Sequence, residues 1–288
     1  MNTWSVARFA LMGALLFLVS CASLVRVAPE PNLDDKHDLV WCCKTGERFP
    51  QWLVEIVAPT APLTGRIIGN ISYRKSYLTD RRDAHRFLLA RLRPLDIVVV
   101  GSTARLSNQT IPGHFGHAIV YLGTEQQLRS EGLWQSVDPQ HREAISQGQI
   151  FLEAEGEDVH LSDVDYVFDN DHVAVLRPRI SNNARRREIM RDYIATIGTP
   201  FDYFFDLGNP SCLYCTELIH RVVPELGLPI DILYGREVIL PDAVVAQTLR
   251  GQGRLSLITY VKGERDGWAE RNRRDLVSDI EAAWAPAM

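Results

Sequence analysis

Four short apolar runs, each closed by glycine or proline, precede a helix that begins on a cysteine, and that order leaves few folds open. Ile97, Val98, Val99 and Val100 are all β-branched and lie between Pro94 and Gly101. A run of this kind is a buried strand. Residues 117–122 end at Gly123, residues 149–154 run into the turn at Gly156, and residues 172–177 stop at Pro178. A shorter piece, 159–161, follows the Gly156 turn. Short strands in succession before the helix predict an α+β fold with a mainly antiparallel sheet.

The remaining signals fill in around these strands. Residues 83–92 read as a short helix with Asp83 as its cap. Within the polar stretch 124–149, residues 139–146 are helical. Residues 184–197 form a helix capped by Asn182 or Asn183, with Ile189, Met190, Tyr193, Ile194 and Ile197 on one face. Gly198-Thr199-Pro200 ends it. Residues 201–209 are an aromatic-rich connector to the cysteine helix, 214–223, which Pro224 stops. Residues 255–261 read as a further strand and 267–284 as a charged C-terminal helix. Residues 41–82 carry turn signals and little periodicity.

The first residues read as a leader. Arg8 is followed by an apolar or small-residue run over 9–19. That run is shorter than the roughly 20 residues of a membrane-spanning helix and suits a signal-peptide core. It ends in Leu18-Val19-Ser20-Cys21, which resembles a bacterial lipobox. The expected organisation is a lipoprotein signal peptide over 1–20, lipid on Cys21, a tether over 21–40, and one domain with elaborations over 41–288. The expected location is the bacterial cell envelope, lipid-anchored and facing the periplasm, where more than one acyl chain gives stable anchoring. Net charge is −5 across 288 residues, with both signs interspersed. No basic stripe with interleaved aromatics points to a nucleic acid. Arg185-Arg186-Arg187 reads as a solvated helix face.

With Cys21 assigned to lipid, four cysteines remain. An exported protein permits disulfides, and Cys212 could pair with Cys42 or Cys43. A zinc site from Cys42, Cys43, Cys212 and Cys215 is a weak alternative, because structural sites use two spaced pairs. No cofactor motif is present. Cys215 opens a helix, where unpaired N–H groups and the dipole favour a thiolate. Leu218, Ile219, Val222 and Val223 would bury that helix face and fix the direction of the thiol. His117 leads a rigid strand and is the candidate base, with His114 in the preceding loop as its rival. Nucleophilic catalysis needs thiol and imidazole within hydrogen-bond reach. A third group orients the imidazole. Glu153, between Leu152 and Ala154, is the candidate, with Asp96, Asp202 and Glu131 as alternatives.

Taken in order, these segments resemble the circularly permuted papain-like amidases of the NlpC type, especially an exported bacterial branch. Leu95-Asp96-Ile97-Val98 looks like the entry strand, although the family usually has Gly before Asp. His117-Ala118-Ile119-Val120 looks like the histidine strand and Leu152-Glu153-Ala154 like the strand of the third residue. Gly198-Thr199-Pro200-Phe201-Asp202 looks like the family's Gly-x-Pro-Tyr-Asp, and Cys215-Thr216-Glu217-Leu218 like its Cys-Ser-Glu-Leu. The resemblance covers about residues 92–223. It implies a papain-like fold, with Cys215 as nucleophile, His117 as base and Glu153 as orienting residue. It also implies cleavage of amide or peptide bonds, often in cell-wall peptides. Relatives with this permuted core transfer acyl groups from lipids, so an acyltransferase or thioesterase is a second reading. A catalytically inactive envelope interaction protein is a third. The segment between His117 and Glu153 is longer than a hairpin and reads as a lid or a recognition loop. A Cys212–Cys215 bridge would switch such a site off.

Overall fold

A computed structural model describes Cys42, residues 72–104 and residues 113–285. The leader, Cys21 and the tether lie outside the described residues.

The most apolar strand sits in the middle. β1 (Ile97–Gly101) is buried along its whole length. It pairs on one side with β2 (His117–Tyr121) and on the other with β5 (His172–Pro178), both antiparallel. Strands β3 (Phe151–Glu155) and β4 (Asp158–Ser162) continue outward from β2, joined to each other by a tight turn at Gly156. On the far side β8 (Leu255–Glu264) pairs with β5, and β9 (Gly267–Arg271) forms the edge. The sheet therefore runs β4-β3-β2-β1-β5-β8-β9, and every neighbouring pair is antiparallel. A separate hairpin joins β6 (Asp231–Leu233) to β7 (Arg236–Val238).

Helices alternate with these strands along the chain. α1 (Arg82–Leu89) precedes β1, and α2 (Glu125–Ser130) and α3 (Pro139–Ser146) lie between β2 and β3. α4 (Val164–Val167) and α5 (Asn183–Ala195) flank β5. α6 (Cys215–Val222) packs on β2 and β3 and against α5. α7 (Pro241–Leu249) packs on β8 and against α8 (Arg273–Trp284). The cysteine helix thus rests on the two strands that carry His117 and Glu153.

The structure departs from sequence expectation in several places. Asp83 does not cap α1; the N-cap position is Arg81, and the Asp83 carboxylate accepts from Trp268 Nε1 at 2.7 Å. Residues 267–284 are not one helix, because the first five form the edge strand β9. The arginine run is not simply solvated. Arg185 makes a two-pronged pair with Glu225 at 2.6 and 2.9 Å, and Arg186 pairs with Glu131 at 2.5 Å. α5 is capped by Asn182, whose side chain accepts from Ala184 N and Arg185 N. The long segment between β2 and β3 leaves those strands adjacent. Its Leu128, Trp134 and Ile145 are buried in the core.

Candidate active site

Strand periodicity assembles the site. Val120 pairs with Leu152 and Tyr121 with Phe151. Side chains alternate faces along a strand, so His117 shares a face with Phe151, Glu153 and Glu155. Across the next ladder Glu153 pairs with His160 and Glu155 with Asp158. One face of the β2-β3-β4 edge therefore carries two histidines and three carboxylates.

His117 Nε2 lies 2.8 Å from Glu153 Oε2. The Cys215 side chain is the strongest influence on the charge of that ring after burial. With Nε2 on Glu153, Nδ1 is the nitrogen left for the sulfur. Glu153 is 1% exposed and Cys215 5% exposed. Burial works against a charge on His117, but the charge and hydrogen bond of Cys215, together with Glu153, outweigh it. The net effect holds the imidazole pKa well above its ordinary 6.5. Burial likewise works against the Glu153 anion. Its hydrogen bond to His117 and the charge on that ring overcome burial and hold the carboxyl below its ordinary value. Imidazole and carboxyl thus favour an imidazolium–carboxylate pair beside the Cys215 sulfur.

The helix delivers its thiol in a fixed direction. Cys215 is the first residue of α6, and Leu218, Ile219 and Val222 bury one side of that helix. The Glu217 side chain reaches back to Tyr214 N at 3.4 Å, while Tyr214 Oη accepts from Ile239 N at 3.0 Å. Thr216 Oγ1 donates to Ile239 O at 2.6 Å.

The rival residues have other partners. His114 stacks on His172 with ring centroids 3.7 Å apart, and its Nε2 is 2.9 Å from Tyr260 Oη. Burial, followed by the charges of His172 and Lys262, drives its pKa far below 6.5. Asp96 holds Arg177 in a two-pronged pair at 2.8 and 2.7 Å. Asp202 accepts from Phe204 N and Asp206 N and shapes the aromatic connector. Glu131 binds Arg186. Cys212 and Cys215 are free thiols, so none of the bridges suggested for Cys212 is present; Cys42 is disulfide-bonded. Burial and the nearby Asp202 and Glu217 charges push the Cys212 thiol up to about 11, which keeps it protonated and poorly nucleophilic. A cavity of about 440 Å³ lies near Arg93, Asp96, Glu131, Arg177 and Arg186, at the opposite end of β1 from His117. Its charges are largely paired with one another, and it is separate from the thiol.

Asp242 braces the entry to the histidine strand and was not legible as a site residue. It lies in the first turn of α7 and is fully buried. Its carboxylate accepts from His114 N and Phe115 N at 2.7 Å each and from Trp284 Nε1 at 2.6 Å. Burial pushes its pKa up to about 6 against these three donors. Gly113 makes the approach possible: its φ is +126°, and a Cβ there would sit 2.4 Å from Asp242 Oδ2. Asp242→Ala would leave three buried donors without an acceptor, each worth about 1–3 kcal/mol. Relief of the buried charge offsets part of this. The expected loss is about 3 kcal/mol, or a Tm lower by roughly 6–12 °C, and calorimetric melting of the variant checks it.

No family profile matches the chain, and no curated protein matches it. Among solved structures it is similar to the crystal structure of metalloprotein yiiX from Escherichia coli O157:H7, DUF1105. The identity is 12% and the TM-score 0.33, covering 58% of this chain and 97% of that one. A likeness at that TM-score bears on neither fold nor function. The site's chemistry therefore rests on its own geometry.

Proposed function

We propose that the protein is a cysteine hydrolase of the permuted papain-like, NlpC-type class, cleaving amide or peptide bonds through Cys215, His117 and Glu153. The observation that carries this reading is an imidazole hydrogen-bonded to a buried carboxylate, on the strands against which a helix beginning with a thiol packs. His117 takes the Cys215 proton, and the thiolate attacks the substrate carbonyl. The Cys215 backbone N–H, which has no intrahelical acceptor at the first helical position, helps hold the oxyanion. The C–N bond breaks, His117 gives its proton to the leaving amine, and a thioester remains. Water, losing a proton to His117, then attacks the thioester. The acid leaves, and the proton returns to the sulfur. Glu153 orients the ring and stabilises its cationic form.

The lipobox-like segment supports a bacterial-envelope location for this chemistry, with cell-wall peptides as the first substrates to test. Among the described residues no helix is long and apolar enough to cross a membrane. Incubation with peptide amides, followed by mass spectrometry, should show a free amine and an acyl adduct on Cys215. Absence of both across a cell-wall peptide panel would count against the reading.

A second reading, acyl transfer or thioester hydrolysis on lipids, draws on exposed apolar residues of the connector and of the hairpin that follows. Phe204 is 39% exposed and Ile232 66% exposed. Arg236, on the same hairpin as Ile232, donates to Phe204 O. Labelled phospholipid separates the two: a fatty-acyl thioester on Cys215 supports acyl transfer, and amine release from peptide supports the amidase.

The pH profile follows from His117. Its folded pKa is raised, so the imidazolium stabilises the fold below 6.5, and that contribution fades as pH rises through the folded value. The alkaline limb of kcat/KM reports loss of the same proton and should lie above pH 6.5. Glu153→Gln removes one cause of the raised value and should move that limb toward acid. An unmoved limb would show that another group sets it.

A further inference from the structure

The face that holds the base carries more ligating groups than a thiol site uses. A His117 ring nitrogen and a carboxylate oxygen each from Glu153 and Glu155 lie within 4.8 Å of one another. Glu153 Oε1 is buried and accepts no hydrogen bond of ordinary geometry, although the Ser162 hydroxyl acts on the carboxylate from nearby. On that side the His160 ring stands nearby, its Nε2 3.9 Å away. Glu155 accepts at Oε2 from Tyr166 Oη at 2.9 Å, and Asp158 pairs across the ladder from it. A buried carboxylate oxygen without a donor of ordinary geometry, next to a half-buried carboxylate and an imidazole, is an incomplete arrangement for three side chains alone.

We infer that His117, Glu153 and Glu155 form a binding site for a divalent transition-metal ion of the zinc type, and that occupancy switches the thiol site off. Imidazole with two carboxylates is a nitrogen–oxygen set that zinc accepts, with water left for the fourth position. Tetrahedral zinc at about 2.1 Å sets its donors about 3.4 Å apart. The His117–Glu153 pair must open from 2.8 Å, and the wider separations must close from at most 4.8 Å. Side-chain rotation covers both. Glu153 Oε1, which accepts no hydrogen bond of ordinary geometry, supplies a lone pair. The ion takes the His117 nitrogen lone pair, and the imidazolium proton leaves to solvent. A neutral imidazole that ligates through Nε2 carries its proton on Nδ1, so no lone pair is left to take the Cys215 proton. Inhibition presupposes the cysteine-hydrolase reading; metal binding does not.

Calorimetric titration of the full chain with ZnCl2 tests the site. Wild type and Cys215→Ala should each bind one equivalent that Glu155→Gln weakens at least tenfold, since lost second-shell partners alone cost 10–100-fold. Heats in buffers of different ionisation enthalpy should show release of about one proton at a pH where His117 is cationic. Mg²⁺ should not compete, because imidazole suits the softer ion. Zinc binding lost in Cys215→Ala but retained in Glu155→Gln would place the metal on the thiol and overturn the assignment. So would binding insensitive to Glu155→Gln, competition by Mg²⁺, or no binding to wild type. Each variant's melting curve separates lost ligation from lost folding. A chain that binds zinc this way yet hydrolyses no peptide keeps the metal site and loses only the hydrolase reading.

Discussion

Cys215→Ala is expected to lower amide hydrolysis by about 10⁴-fold or more, because removing the nucleophile of a covalent mechanism leaves only binding and the oxyanion site. The fold should survive. Cys215 is buried at a helix start, and alanine fills most of the same space with good helix propensity. Losing the sulfur also removes a cause of the raised His117 pKa, so the variant's imidazole should titrate closer to 6.5 by NMR. That second readout tests the pairing directly, without a substrate. If the His117 titration is unchanged in Cys215→Ala, the thiol and the imidazole are not coupled. Undiminished hydrolysis by the folded variant would place the nucleophile elsewhere. Cys212 is a poor substitute, since burial and its acidic neighbours push its thiol up to about 11.

Much of this arrangement is written locally, and some of it is not. β1 is legible to the residue because a β-branched run between proline and glycine has no competing period. The helix over 139–146 is equally clear, with Asp138 accepting from Gln140 N and proline at its first position. Glu153 can be read as a strand carboxylate. That Glu155 shares its face follows from the two-residue period, a signal available in the sequence and unused. His160 needed the register of β3 on β4, which no local pattern fixes. α7 was missed because it is buried nearly all round, and a helix without a polar face shows no 3.6-residue period. β9 reads as helix because Arg271 and Glu270 continue the charged pattern of α8; as an edge strand, charge suits it. Asp83 looks like a cap by its position, yet Trp268, 185 residues away, takes its carboxylate. Asp242 follows a proline in an apolar stretch. Its partners, His114, Phe115 and Trp284, come from segments far away in the chain.

Glu153→Ala should produce the second largest loss of activity, between about 10² and 10⁴-fold. The lower figure corresponds to a catalytic group misplaced by about an ångström, the upper to an imidazole held in the wrong tautomer. Two effects act together. The ring loses the 2.8 Å contact that sets its orientation, and the cation loses a buried anion that helps hold its pKa up. Glu153→Gln separates them, because an amide oxygen can still accept from Nε2 while carrying no charge. If orientation dominates, the glutamine variant should recover most of the activity at its own pH optimum. If charge dominates, it should resemble the alanine variant, and its alkaline limb should lie well below that of wild type. Stability gives an independent reading. Glu153 is held as a buried anion, so it stabilises the fold above its unfolded pKa, and that stability is lost as pH falls through the lower folded value. Replacing it with glutamine should flatten the acid side of the stability profile. An acid side as steep as wild type would mean that the carboxylate is not the paired anion the hydrogen bond describes.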